Sequence, residues 1–223
     1  SGALNTLGDE LSFQRSDPHS YVLFFVDCFF ERATNVMAAL PLEERDHVVF
    51  VDTSNEPTTQ GIDEIILTLR DIEKTKPCAV VGIGGGSTMD VAKAISNLLT
   101  NPGKASEYQG WDLVKLKGVY KIEVPTLSGT GAEATRTCVM TNKITGAKLG
   151  MNSDFTIYDK VILDPNLLST VPREQYFYTG MDAYIHCMES LNGRHRNSIG
   201  DSLSREVLVL CEEIFSQGDM MRP

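Results

Sequence analysis

The sequence lacks what a membrane protein or a nucleic-acid binder needs. Its longest apolar run covers residues 21–26, with Phe29 and Phe30 following Asp27 and Cys28, whereas a bilayer span takes about 20 apolar residues. Basic side chains are scarce: 20 Lys and Arg stand against 30 Asp and Glu, a formal net charge of −10. No Lys/Arg cluster offsets that excess, which argues against a partner built on a phosphate backbone. A local anion site stays open, because backbone N–H groups at a helix start need no net positive charge. The five cysteines (Cys28, Cys78, Cys138, Cys187, Cys211) are odd in number and widely spaced, with no CxxC. That predicts reduced thiols in a cytoplasmic protein rather than a disulfide framework. No charged segment precedes an apolar stretch near residue 1, so no secretory signal is expected. Internal repeats and low-complexity tracts are missing too.

What is present is an ordinary globular composition, 42% hydrophobic and 8% aromatic over 223 residues. A chain of this length buries on the order of 70% of its unfolded surface, so a core is available. It suits one large domain, or one domain and part of a second.

Along the chain, residues 4–13 read as a short helix. Residues 21–26 form a continuous apolar run of strand length, as expected of a strand buried on both faces. Residues 30–40 read as a helix stopped by Pro41, and residues 47–51 as a second strand. Residues 58–74 place Ile62, Ile65, Ile66 and Leu69 at the 3.6-residue period of an amphipathic helix. A strand at 78–83, a Gly-rich turn, a helix at 88–99 and a strand at 119–124 follow. This alternation predicts a parallel sheet with helices on both faces, a doubly wound α/β domain. Beyond Gly131 the pattern changes to an extended segment at 132–140, a turn at 142–146 and a return strand at 148–151. A strand at 160–163 closes on Asp164-Pro165. The rest reads as helix, at 173–192 and 198–215. The reading is an α/β domain over 1–171 and the start of an all-helical domain over 172–223, too short for a core of its own.

Four motifs could carry chemistry. Gly82-Ile83-Gly84-Gly85-Gly86-Ser87-Thr88-Met89-Asp90 follows a buried strand and opens a helix. Its glycines let a backbone approach a phosphate, and the helix start aims N–H groups and a positive dipole end at an anion. Ser87 and Asp90 fit a capping box. Ser87 stands where a Rossmann G-x-G-x-x-G has its third Gly, and no P-loop Gly-Lys-Ser/Thr follows; a tight structural turn is the plainer alternative. Pro125-Thr126-Leu127-Ser128-Gly129-Thr130-Gly131-Ala132-Glu133 again follows a strand, and its hydroxyls and glycines suit a phosphate or ribose as well as an ordinary polar loop. Asp27 ends the first strand, at the edge where open α/β sheets bind ligands. A carboxylate there can accept from both ribose hydroxyls and would repel a 2′-phosphate, favouring NAD over NADP; a solvated Asp is the alternative. Asp182 and His186 lie four apart on a predicted helix, so they share a face and could reach one divalent ion, or simply touch each other. His195, His19 and His47 read as surface residues.

In this order and spacing, Asp27, Gly84-Gly85-Gly86-Ser87-x-x-Asp90-x-Ala92-Lys93, Pro125-Thr126-x-x-Gly129-Thr130-Gly131-x-Glu133, Lys148, Leu163-Asp164-Pro165 and Gly180-x-Asp182-Ala183-x-x-His186-x-x-Glu189 resemble the iron-containing (type III) alcohol dehydrogenases. The resemblance covers nearly the whole chain. It implies a dinucleotide-binding domain followed by a helical, dehydroquinate synthase-like domain, with the active site in the cleft between them. It implies that Gly85, Gly86 and Ser87 hold a pyrophosphate, with Asp90 in the same cofactor-binding set. Thr126, Leu127 and Thr130 would line the cofactor site, Asp27 and Glu56 would face the adenosine ribose, and Leu167 the adenine. Lys148 would stand at the nicotinamide ribose as cofactor-binding and catalytic residue. Asp182 and His186 would be the first two ligands of Fe(II) or Zn(II). The family's other two ligands are histidines farther along, and its first strand precedes residue 1, so the chain is expected to be part of a longer one. The family commonly forms homodimers.

Gly180–Cys187 and Glu189–Gly193 look like the branch that oxidises the C8 hydroxyl of 3-deoxy-D-manno-octulosonate (Kdo), which leads to the 8-amino-Kdo of lipopolysaccharide. The implied chemistry is metal-assisted oxidation of a primary alcohol, with hydride passing to NAD. A dehydroquinate synthase-like lyase, a non-catalytic cofactor-binding fragment and an O2-dependent oxidase are the alternatives.

Overall fold

The computed structural model describes residues 2–32, 34–73 and 75–216. The chain forms two compact units, Ser1–Thr126 with Ala132–Asn166, and Leu127–Gly131 with Leu167–Pro223.

The first unit is built on a five-stranded parallel sheet. Its strands are β1 (Val22–Asp27), β2 (His47–Val51), β3 (Ala79–Gly84), β5 (Lys121–Pro125) and β8 (Lys160–Val161), in the order β2-β1-β3-β5-β8. The chain runs from β1 out to β2 and crosses back to β3 on the other side, so the order reverses at β1 and β3. Such a reversal opens a crevice at the carboxyl ends of the two strands. β1 and β3 are buried along nearly their full length, which is why they read as unbroken apolar runs. Tyr21, Leu23, Phe25, Val80, Ile62, Ile66, Leu69 and Ile95 belong to one core cluster of buried residues.

Several helices differ from their sequence patterns for local reasons. The first opens as a 3-10 turn at Ala3–Asn5 and continues as α1 (Thr6–Gln14), burying Leu7 and Leu11. After β1, the Asp27 carboxylate accepts from the Phe29 N–H at 3.0 Å and caps a 3-10 turn at Cys28–Glu31. The helix expected over 30–40 is thereby shortened to α2 (Thr34–Ala39). Thr58 caps α3 (Thr59–Ile72) by accepting from Gly61 N–H at 3.1 Å; the expected end at Lys74 lies outside the described residues. Helix α4 (Gly86–Leu98) starts two residues before its pattern suggests, because Gly85 takes the N-cap position without a side-chain cap. Ser87 is then inside the helix and the expected capping box does not form: the Asp90 carboxylate accepts instead from Val139 N–H, at 3.1 Å.

A second, three-stranded sheet has the order β4-β7-β6. β6 (Thr137–Thr141) and β7 (Lys148–Asn152) form the antiparallel hairpin, and the two residues of β4 (Gly110–Trp111) run parallel to β7. The segment expected to be extended from 132 opens as a 3-10 turn at Ala132–Ala134. β8 stops at Val161, and the Asp164 carboxylate accepts from Gly2 and Leu4 N–H at 3.1 and 3.0 Å. His47 is half-buried rather than on the surface: its Nε2 lies 2.9 Å from Glu73 Oε1 and its ring meets Tyr21 edge-on at 5.4 Å.

The second unit carries α5 (Arg173–Asn192) and α6 (Ser198–Cys211), with Asn197 capping α6 through Gly200 N–H at 2.8 Å. The helix expected to reach 215 changes after Cys211 into a π turn at Glu212–Ser216. All five cysteines are free thiols. Among the described residues no helix is long and apolar enough to cross a membrane.

Candidate functional site

Gly84 is where three elements meet. A Cβ on it would stand 2.7 Å from Thr88 Oγ1, 2.9 Å from Thr88 Cβ and 3.0 Å from Asp27 Cβ. Glycine here lets the end of β1, the turn after β3 and the first turn of α4 close on one point. Gly85 and Gly86 continue the turn, and α4 begins with no side chain occupying its first amides, which a helix leaves without partners of its own. An anion seated there gains those N–H groups and the positive dipole end. Thr88 Oγ1 is buried beside Gly84 and has no hydrogen-bond partner. Thr126 N–H donates to Gly84 O at 2.9 Å and brings the hydroxyl-rich strand end alongside. Asp27 keeps both carboxylate oxygens half-open, each 3.3 Å from the Thr53 hydroxyl. An acceptor pair beside a row of free amides fits the diol and pyrophosphate of a dinucleotide.

Glu56 and Lys148 pair with each other rather than standing separately. The Glu56 carboxylate binds Lys148 Nζ and accepts from Thr141 Oγ1 at 3.2 Å. Lys148 holds the Glu56 carboxyl below its usual range. Thr141 N–H also donates to Pro57 O at 2.9 Å, so the loop after β2 is stitched to the turn end of the hairpin. A cleft of about 630 Å³ lies behind this junction, walled by Val51, Ile62, Ile65 and Val91.

Farther along α4 lies a buried polar group that enters the sequence motifs only through Lys93, with no role assigned to it there. Lys93 is fully buried, and its Nζ donates to Ala132 O at 2.7 Å, Thr135 O at 2.9 Å, Thr135 Oγ1 at 3.1 Å and Thr137 O at 3.0 Å. Glu123 on β5 is also fully buried, with neither carboxylate oxygen hydrogen-bonded. Burial pushes its carboxyl up to about 8, against the opposing pull of Lys93. The same cause raises Asp90 to about 7. A Lys within the apolar stretch Val91-Ala92-Lys93-Ala94-Ile95 was the available signal, since a buried ammonium requires partners.

Glu123 gives a pH prediction. Its folded pKa exceeds its unfolded value, so the folded state keeps a proton that the unfolded chain releases above about 4.5. Stability therefore falls as pH rises from about 4.5 through 8. Glu123→Gln removes that penalty. Its advantage over the parent should be near zero at pH 4 and grow to the order of a few kcal/mol by pH 9. Denaturant melts of both proteins at pH 4, 6.5 and 9 check this; a constant difference would contradict it.

The second unit holds the remaining sequence-derived positions. Leu127 and Thr130 lie on its loop segment, and Leu167 is buried. On α5, His186 Nδ1 stands 3.7 Å from Asp182 Oδ2, and both side chains are about half exposed. One carboxylate oxygen and one imidazole nitrogen on one helix face are donors that suit Fe(II) or Zn(II). A closed site takes four donors, and among the described residues no three His, Cys, Asp or Glu cluster to hold an ion. The pair is therefore a fitting but partial donor set.

The fold is α/β, with the Gly84 turn and the uncapped start of α4 at the switch point of a parallel sheet. Residues 1–165 match the iron-containing alcohol dehydrogenase family, and the chain belongs to it. It is 39% identical over 131 residues to a sulfoacetaldehyde reductase of Bilophila wadsworthia (strain 3_1_6), a match covering 59% of this chain and 34% of that protein. It is 30% identical over 169 residues to an NAD-dependent methanol dehydrogenase of Bacillus methanolicus, covering 75% and 43%. Among solved structures, the sulfoacetaldehyde reductase from Bifidobacterium kashiwanohense in complex with NAD+ superposes with a TM-score of 0.83 at 26% identity, over 95% of this chain and 55% of that one. The chain thus spans a third to about half the length of these relatives.

Proposed function

We propose that the chain supplies the NAD-binding domain and the first two metal ligands of an oxidoreductase that interconverts a primary alcohol and its aldehyde. The observation that carries this reading is the convergence of Asp27, Gly84 and the uncapped start of α4, in a chain that belongs to a dehydrogenase family. The amides of Gly85, Gly86 and Ser87 hold the pyrophosphate, and Asp27 accepts from the ribose diol. Thr126, Leu127, Thr130 and Leu167 line the nucleotide, with Asp90 behind the first turn of α4. Lys148, held by Glu56, presents its ammonium at the nicotinamide end. Asp182 and His186 hold a divalent ion together with donors from outside the described residues. When bound, the ion supplies Lewis-acid polarisation of a carbinol oxygen and NAD the hydride acceptor. The protein's own part is to hold the reacting groups at near-attack distance and keep water away.

For the substrate, the wording of residues 180–187 and 189–193 supports the C8 hydroxyl of Kdo, and the relatives named for sulfoacetaldehyde add a second small molecule bearing an acid group. The class is a primary alcohol or aldehyde on an anionic molecule. A homodimer is the assembly this reading expects, and the cytoplasm its location. The test is NADH formation by the full-length enzyme with Kdo, 2-hydroxyethanesulfonate and ethanol. A kcat/KM at least about tenfold higher for an anionic substrate, one ion-pair's worth of discrimination, is the expected result. Equal rates on ethanol would overturn the substrate class, and peroxide in place of NADH would overturn NAD as final acceptor.

A further inference from the structure

The proposed function leaves the buried Lys93 without a role. Lys93 is fully buried, yet its Nζ is ringed by three main-chain carbonyls and one hydroxyl at 2.7–3.1 Å. An ammonium has three protons to give, so all of them are used by segment 132–137. That segment leads directly out of the hydroxyl-rich loop into β6. Three carbonyl dipoles converging on one point repel one another unless a cation sits among them, so this backbone course depends on the ammonium.

The same helix carries the anion seat. Gly86 lies seven residues before Lys93, two turns of α4, which places the two about 10 Å apart along the axis. Between them Asp90 accepts from Val139 N–H at 3.1 Å, and Met89 O accepts from the Tyr158 hydroxyl at 2.9 Å. The Tyr158 ring lies 5.2 Å from Lys93 Nζ. Helix α4 therefore grips the outgoing backbone at Lys93 and at Asp90, and presents its free amides at the other end.

We propose that Lys93 is a positioning residue for the nucleotide: it fixes the backbone at 132–137 relative to the first turn of α4 and so sets cofactor affinity without touching the cofactor. The proposal rests on the NAD-binding reading above. Its role differs from that of a core packing residue, because the groups it binds are main-chain carbonyls that only a donor can hold. Glu123 is buried near it, where burial raises the Glu123 carboxyl and lowers the Lys93 ammonium from their ordinary values, so the four oxygens that accept from Nζ are what hold the charge in place.

The experiment is an NADH fluorescence titration of the full-length enzyme and of Lys93→Met and Thr135→Val, with KM for NAD+ and for the alcohol measured alongside. Lys93→Met should retain the parent's near-ultraviolet circular dichroism while its NADH Kd and KM for NAD+ rise about tenfold or more, the scale of a lost hydrogen bond to a charged group. Its KM for the alcohol and its kcat at saturating NAD+ should stay near the parent's. Thr135→Val deletes only the hydroxyl acceptor and should raise the NADH Kd about two- to threefold in the same direction, which is a few tenths of the tenfold step. If Lys93→Met does not fold, Thr135→Val decides. A folded variant with unchanged NADH affinity, or one losing kcat and alcohol affinity as much as NAD+ affinity, overturns the proposal. A parent that binds no NADH overturns the cofactor reading itself, and the proposal with it.

Discussion

Gly129→Ala is expected to cost about 3–5 kcal/mol of stability, at the upper end of single substitutions, because it adds a steric overlap to an unfavourable backbone conformation. Gly129 has φ +137°, and a Cβ on it would lie 2.1 Å from Thr179 O and 2.8 Å from Thr179 C. Those atoms are main chain of α5, so no rotamer change relieves the overlap. Thr179 is itself buried and tied back by its hydroxyl to Gln175 O at 3.0 Å. Either the loop or the helix must move, and Asp182 and His186 lie one and two turns farther along that helix. The variant should melt roughly 10 °C lower, at 2–4 °C per kcal/mol for a domain of this size. Gly131→Ala is the control. It has φ +66° but nothing within 4 Å of the added carbon, so it should cost only about 1–2 kcal/mol, the left-handed penalty. Thermal melts of the two variants side by side check the expectation. Equal losses would mean that the contact with Thr179 does not govern the loop.

Gly84→Ala should abolish dinucleotide binding while leaving the sheet intact. The new methyl would meet Thr88 Oγ1 at 2.7 Å, Thr88 Cβ at 2.9 Å and Asp27 Cβ at 3.0 Å. Thr88 is fully buried in α4 and has no room to withdraw. The first turn of α4 must therefore shift against Asp27, which misaligns the amides and the ribose acceptors together. A loss of at least about 3 kcal/mol, or a factor above 100 in Kd, is expected. Gly82→Ala is the milder comparison: its added carbon would approach Ala92 Cβ, Met89 Sδ and the Tyr158 hydroxyl no closer than 3.1 Å, and the Met side chain can adjust. Titration of each purified variant with NADH measures the difference. Retained affinity in Gly84→Ala would remove the turn from the binding site.

Much of this was legible in the residues. Val22–Val26 and Ala79–Ile83 declare buried parallel strands because nothing polar interrupts them. The period of Ile62, Ile66 and Leu69 declares the face of α3. Glycines after β3 mark a close backbone approach, since only glycine tolerates the 2.7 Å spacing found at Gly84. The motif order carried the family, which no single motif could. What stayed hidden depends on partners distant in sequence. Asp90 reads as a capping residue beside Ser87, yet its acceptor role is spent on Val139, 49 residues away. Glu56, expected to face a ribose, is paired with Lys148, 92 residues on, a contact that spacing does not show. Lys93 and Glu123 look like surface charges by type, and only the packing of α4 on β5 and β6 buries them. The shortening of the helix expected over 30–40 follows from the Asp27 side chain turning back on Phe29 N–H, a local competition that periodicity does not register.

The most direct test of the dinucleotide seat is a calorimetric titration of the protein with NAD+ and, separately, NADP+. Asp27 at the ribose end should accept the free diol and repel a 2′-phosphate. The account predicts a single site for NAD+, with NADP+ weaker by a factor of about ten or more, the cost of one unrelieved like-charge contact. Absence of NAD+ binding, or NADP+ binding as tightly as NAD+, would contradict it.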